Sequence, residues 1–266
     1  MSQQIKRQWT RFTMGERLAR FAVFLGFALA LSISLRTVEV IPEFLYDAPT
    51  QVADLLSRMW PLDLAYYPQG IHEALVETLH IATLGTVFTV FLAFPVAILA
   101  AQNTTFNKAT WFLGRFILVT SRSVNTVVWG LLFVAIFGPG PVAGIFSVAA
   151  RSIGFVGKLI AEAIEEIDVG TVEAVEATGA SNLQTLLVGV LPQVMPVVLG
   201  TIIYRWDINI RESTVLGCVG AGGIGIVLYS SINLFAWHEV SVILISIFGV
   251  VILSEYLSIK ARARIT

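Results

Sequence analysis

Six apolar stretches separated by polar ones run along the chain, at roughly residues 18–36, 75–101, 121–138, 140–156, 193–215 and 240–258. Each approaches or exceeds the ~20 residues a helix needs to cross the hydrocarbon core of a bilayer. The pattern therefore predicts an all-α integral membrane protein with about six transmembrane helices. Gly138-Pro139-Gly140-Pro141 predicts a tight turn between the third and fourth stretches. Residues 105–120 are too polar for a span and suit an interfacial helix. Pro95 falls inside the second stretch and removes one backbone hydrogen bond, a loss that neighbouring helices or Thr side chains offset in membranes.

The basic residues orient this pattern. Lys6, Arg7, Arg11, Arg17 and Arg20 precede the first stretch, and Lys260, Arg262 and Arg264 follow the last. Both termini are then expected to be cytoplasmic, which requires an even number of crossings. Six meets that requirement. Lys108, Arg115, Arg151 and Lys158 fall on the same side, while segment 37–72 falls outside with Glu39, Glu43, Asp47, Asp54 and Asp63 against Arg36 and Arg58. The expected organisation is a cytoplasmic segment 1–17, a first helix with its external segment 18–72, a transmembrane domain 73–260 and a cytoplasmic tail 261–266. A polar loop at about 157–190 lies within that domain.

Composition narrows the class. Of 266 residues 56% are hydrophobic and 13% charged, against about 25% charged in a soluble domain. A net charge of −1 gives no reason to expect a nucleic-acid partner. The single Cys218 rules out an internal disulfide, and no Cys/His cluster has metal-ligand spacing. Gly157-Lys158 is followed by Leu159 and lacks the preceding glycine of a phosphate-binding P-loop. No catalytic, metal or nucleotide site is thus expected on this chain. The N-terminus is too polar, and the first apolar run too long, for a cleaved signal peptide.

Three groups of residues remain as candidates. Glu162, Glu165, Glu166 and Asp168 crowd the start of the 157–190 loop. After them Gly170 is read as a helix breaker, Thr171 as a cap, Glu173 as a first-turn carboxylate and Gly179 as a sharp exit before Pro192 opens the next helix. By composition alone this is a solvated interhelical loop. In the fifth stretch Arg205, Asp207, Arg211 and Glu212 are too costly for lipid, at no less than ~2.5 kcal/mol each. They suit either an ion-pair network, with Asp207 pairing Arg211 at i,i+4, or a partly cationic pathway for an anion. Thr83 and Thr86 continue from His80 as a polar stripe that suits a pore or, more commonly, hydroxyls bonded to their own helix. Arg122 reads as a head-group anchor. Gly220-Ala221-Gly222-Gly223-Ile224-Gly225 fits a dinucleotide fingerprint but follows a membrane helix, not a strand. Close packing or an irregular turn beside a pathway is the better reading of Gly220, Gly222 and Gly223.

The spacing Glu173-Ala174-Val175, Gly179, Leu191-Pro192 resembles the coupling motif by which ABC-importer permeases take up motion from a cytoplasmic ATPase. Val175 stands where that family usually has a second Ala, and Gly189 where it usually has a branched apolar residue. Tyr204-Arg205-Trp206-Asp207-Ile208-Asn209-Ile210-Arg211, with Val219 to Gly225 after it, is narrower and resembles the phosphonate-type branch. The likeness covers about Arg122 to Leu228. It departs at Asn125-Thr126, where the branch often has an acid.

The resemblance implies a type I ABC-importer (MetI-like) permease fold with a cytoplasmic coupling helix, in a bacterial inner membrane. It implies a homodimer with two ATP-binding ABC subunits, which would hold ATP and Mg, and an extracytoplasmic phosphonate- or oxyanion-binding protein. The function expected is import of phosphonate or a related phosphorus oxyanion such as phosphate or phosphite. An ABC permease for methionine or another small nutrient shares the coupling loop, and a passive channel or secondary transporter would not need it. A membrane scaffold would tolerate neutral residues at 205 and 211.

Overall fold

The computed structural model describes residues 12–38 and 41–265, and every regular element among them is helical. Lys6, Arg7, Arg11 and Glu39, used above for orientation, lie outside the described residues. The chain divides into two units, one ending at Leu56 and one running from Ser57. In the first, α1 (Met14–Thr37) opens on a capping box in which Thr13 and Glu16 satisfy each other's backbone N–H. None of its residues is buried. α2 (Pro42–Arg58) follows after residues 38–41.

The second unit is a bundle centred on α6 (Pro141–Glu165). α6 packs against α3 (His72–Ala100), α4 (Lys108–Ser123), α5 (Thr126–Phe137) and α9 (Leu191–Leu216). Small residues permit this. A Cβ on Gly154 would meet the Leu118 carbonyl and one on Gly85 would meet Val148, so helix backbones approach as they do at small-residue interfaces in membranes. α7 (Val169–Ala177), α8 (Asn182–Gln184) and a π turn Thr185–Val190 lead into α9. α10 (Ile224–Asn233) and α11 (Trp237–Arg262) close the chain.

Among the described residues five segments are long and apolar enough to cross a membrane, at 14–37, 64–100, 141–165, 182–219 and 237–262. A sixth arises if α4 and α5, bent by 95° at their junction, form one broken span. The uninterrupted third span expected at 121–138 is therefore corrected. At the break Asn125 caps α5 by accepting from Val127 N (3.0 Å), and Arg151 Nη1 donates to the Val124 carbonyl at 2.9 Å. Side chains thus satisfy the backbone groups freed by the bend. α4 places a helix where an interfacial one was expected. α3 runs through Pro95 without ending.

The fourth span is also longer than expected. α6 continues past 156 to Glu165 because Val156, Ile160 and Ile164 keep its inner face buried, while Lys158 and Glu162 pair at 3.1 Å outside. Only residues after 165 form the polar connection. The Gly138–Pro141 turn is present. Gly138 and Gly140 have positive φ, and Pro141 starts α6.

Candidate functional site

α7 carries the acidic motif. Its cap is Asp168, whose Oδ1 accepts from Gly170 N (3.0 Å) while Oδ2 accepts from the Thr171 hydroxyl at 2.9 Å. Gly170 is hence no breaker and Thr171 no cap, and Glu173 lies beyond the first turn. A carboxylate two residues before Gly170 outcompetes the Thr because its short side chain reaches the free N–H groups one turn earlier. Glu173, Ala174, Glu176 and Ala177 are exposed, whereas Val172 and Val175 turn toward the base of α9. Gly179 leaves α7 at φ +81 with its N–H donated to the Glu176 carbonyl (2.9 Å). The sharp exit expected there is present.

Gln193 ties the cap of α7 to α9. Asp168 N donates to Gln193 Oε1 at 3.0 Å and Gln193 Nε2 donates to the Asp168 carbonyl at 3.5 Å, while the same Nε2 donates to the Gly189 carbonyl in the π turn at 2.7 Å. Gln193 directly follows Leu191 and Pro192, which begin α9. Val175 and Gly189 also meet: a Cβ on Gly189 would touch Val175 Cγ2 at 3.7 Å and Val172 Cα at 3.6 Å. The two departures from the motif therefore lie next to each other, where α7 meets the π turn. The end of α6 is held separately, by Arg115 Nη2 to Glu165 at 2.7 Å and Gln102 N to the same carboxylate at 3.0 Å. Between α7 and the 103–106 segment lies a cleft of about 780 Å³, whose lining includes Phe106, Glu173, Glu176, Leu183 and Leu186.

Farther along α9, buried polar groups form a network. Arg205, 4% exposed, donates from Nη2 to Glu212 at 3.0 Å and from Nε to Ser152 Oγ at 2.8 Å. Ser152 donates to Asn209 Oδ1 (3.0 Å), and Asn209 Nδ2 donates to Thr86 Oγ1 (2.8 Å). Glu212 also accepts from Thr126 Oγ1 at 2.6 Å and lies 3.5 Å from Arg151 Nε. Phe155 lies under the Arg205 guanidinium at 5.5 Å. The desolvation cost of the ion pair is offset by donors and acceptors from α3, α5 and α6. Arg205 thereby locks helices together and does not line an open route.

Asp207 and Arg211 differ. They are ion-paired, as the i,i+4 spacing predicts, and Ser254 on α11 donates to Asp207 Oδ1 at 2.7 Å. The Asp207 side chain is 4% exposed but that of Arg211 is 46% exposed. Arg211 is thus the arginine of the pair that reaches a surface. The Thr stripe divides as well. His80 and Thr83 are exposed, with Thr83 accepting from Trp206 Nε1 (3.0 Å), whereas Thr86 is buried in the network. The stripe is therefore not continuous. Thr86 faces inward, where its hydroxyl donates to the Ala82 carbonyl of its own helix at 2.7 Å, the commoner of the two expectations, and accepts from Asn209. Arg122 is exposed in the last turn of α4.

The glycine run is an irregular turn. Gly220, Gly222 and Gly223 have φ of 85°, 89° and 76°. The turn is held by Gly140 N to the Gly220 carbonyl (2.9 Å), Gly223 N to Glu77 Oε1 (3.3 Å) and Ile224 N to Thr78 Oγ1 (2.8 Å). A Cβ at Gly222 would crowd Pro141 and one at Gly223 would crowd Thr78. Gly217 similarly lies on Gly225. Sequence reasoning missed Gln193 and Ser152, and it named Thr126, Arg151 and Asn209 without a place in this network. Polar residues inside apolar stretches were the available signal.

Comparisons with known proteins cover this same region. A family described as binding-protein-dependent transport system inner membrane component matches residues 93–260. The phosphite transport system permease protein PtxC of Stutzerimonas stutzeri is 40% identical over 207 residues, 78% of this chain and 75% of its own. The phosphate-import permease protein PhnE of Mycolicibacterium smegmatis is 36% identical over 253 residues, 94% of this chain but 47% of its own. The chain therefore spans about half the length of that relative. Among solved structures, a chain of the MetNI methionine ABC transporter in an inward-facing conformation aligns with a TM-score of 0.63 at 20% identity. That alignment covers 73% of this chain and 95% of the other, and it speaks to fold alone.

Proposed function

Because the chain belongs to the family of binding-protein-dependent transport system inner membrane components, we propose that it is the membrane-spanning permease of an ATP-driven importer for a phosphorus oxyanion. Phosphite, phosphate and phosphonates make up that substrate class. It is a multi-pass inner-membrane transport subunit and not an enzyme. The observation that carries the reading is α7, an exposed helix tied through Asp168 and Gln193 to the start of α9, the helix that also bears Arg205 and Arg211. A force applied to α7 reaches α9 through a hydrogen bond and the packing of Val172 and Val175. Relatives at 36–40% identity named for phosphite and phosphate transport support the substrate class. The likeness to a methionine transporter, at 20% identity, supports only the shared fold.

In this reading two ATP-binding subunits, holding ATP and Mg, dock on α7 from the cytoplasm. A separate binding protein delivers the anion on the other side. Arg17 and Arg20 near the start of α1, Lys260 and Arg262 in the last turn of α11 and Arg264 just after it support cytoplasmic termini. A second copy of the chain completes the path. Gly217, Gly222 and Gly223 do not argue for that dimer, since they pack inside one chain. Arg211 does, because a 46% exposed guanidinium on a spanning helix needs water or a partner in place of lipid.

Vesicles holding the chain with its ATPase and binding protein should take up phosphite, phosphate or a simple phosphonate only with ATP inside the compartment that exposes α7. Methionine-dependent uptake with no oxyanion uptake would overturn the substrate assignment. Mass measurement of the detergent-purified complex, or cross-linking through exposed Cys218, should show two copies. A complex with one copy would reject the dimer.

A further inference from the structure

α2 buries none of its 17 residues, yet it is sharply two-faced. At about 100° per residue, Phe44, Leu45, Val52, Leu55 and Leu56 share one side, while Glu43, Asp47, Thr50 and Asp54 share the other. Phe44, Leu45, Val52 and Leu56 are 66%, 68%, 54% and 61% exposed. An apolar face of this kind calls for a cover.

The covalent frame says what covers it. At 17 residues the helix is ~25 Å long, too short and too charged to span. α1, itself long and apolar enough to cross, ends at Thr37, only residues 38–41 before Pro42. Four residues reach at most ~14 Å. Beyond Arg58, residues 59–63 lead to the apolar segment beginning at Leu64, a reach of no more than ~18 Å. A helix tethered so closely to a spanning segment at each end stays at the membrane surface. Trp60, 70% exposed in the second tether, is the residue type that settles at the head-group level.

We propose that α2 lies flat in the membrane–water interface, with Phe44, Leu45, Val52, Leu55 and Leu56 among lipid acyl chains and its acidic side in water. Its polar face offers anionic head groups no attraction. The two tethers supply instead the high local concentration that free interfacial helices obtain from basic residues. This assignment goes beyond the transport reading and does not rest on it.

Spin labels test it. Val52→Cys, Leu56→Cys, Asp47→Cys and Thr50→Cys are made singly in a Cys218→Ser chain and reconstituted in phosphatidylethanolamine–phosphatidylglycerol vesicles. Variants are compared only when their size-exclusion profile matches the parent's. Oxygen, which partitions into lipid, should relax labels at 52 and 56 more than a water-soluble nickel chelate does, and the order should reverse at 47 and 50. Dominance of the chelate at all four sites would overturn the proposal. So would shielding of 52 and 56 from both reagents, which would assign the face to a protein partner.

Discussion

Replacing Gly179 with valine is expected to cut solute-stimulated ATP hydrolysis in the assembled transporter at least about fivefold while membrane insertion persists. Gly179 sits at φ +81, and a Cβ built there would meet no atom within 4 Å. Crowding is therefore not the cause. A β-branched residue resists the left-handed region, at a cost of the order of 1–3 kcal/mol. The cheapest relief is to let the chain after α7 change course, which releases the Gly179 N–H from Glu176 and re-aims the exposed face carrying Glu173 and Ala174. A bias of that size between docked and undocked geometries corresponds to about 5- to 150-fold in coupling. Gly179→Asn, whose side chain tolerates this backbone region, should retain most of the stimulation. Equal stimulation in the valine variant and the parent would show that the exit geometry of α7 does not transmit motion.

Most of this architecture was legible because a membrane span is a long signal. Runs of apolar residues placed the five spanning segments, and the spacing of Glu173, Ala174, Gly179, Leu191 and Pro192 marked α7 and the start of α9. The α4–α5 break was hidden because neither Pro nor Gly marks Ser123-Val124-Asn125, and the one cue was an Asn suited to capping. α6 was cut short for the opposite reason. Lys158 and Glu162 suggested loop, although Val156, Ile160 and Ile164 repeat at helical spacing. The cap of α7 was misplaced although Asp is the stronger N-cap former, because Asp168 closes the acidic run from Glu162 and reads there as one more loop carboxylate. Least legible was the network. Ser152 and Thr86 lie 57 and 123 residues from Asn209, so only packing reveals that one amide joins them.

That network separates the two arginines into different expected losses. Arg205→Gln removes the Nη2 donor from Glu212 and the Nε donor from Ser152, leaving a carboxylate and a hydroxyl in a buried place. Breaking such a pair costs about 3–5 kcal/mol. The lower end applies, because Glu212 is 21% exposed and Arg151 remains 3.5 Å away. The expected result is a less stable, poorly assembled complex that takes up oxyanion slowly for that reason. Arg205→Met with Glu212→Met should recover part of the stability lost in either single variant, since no buried charge is stranded. Arg211→Gln should behave otherwise. The Asp207 carboxylate, 4% exposed, keeps its bond from Ser254 but loses its counter-charge, so some stability is lost here too. The distinguishing result is that uptake falls further than the loss of stability accounts for. A guanidinium there presents a planar fork suited to phosphate-like oxygens, and weak contact is enough for a route that must also release its cargo. Thermal unfolding and uptake measured on the same preparations decide the matter. Normal uptake in Arg211→Gln would remove this arginine from the path, and a loss of assembly equal to that of Arg205→Gln would make both of them structural.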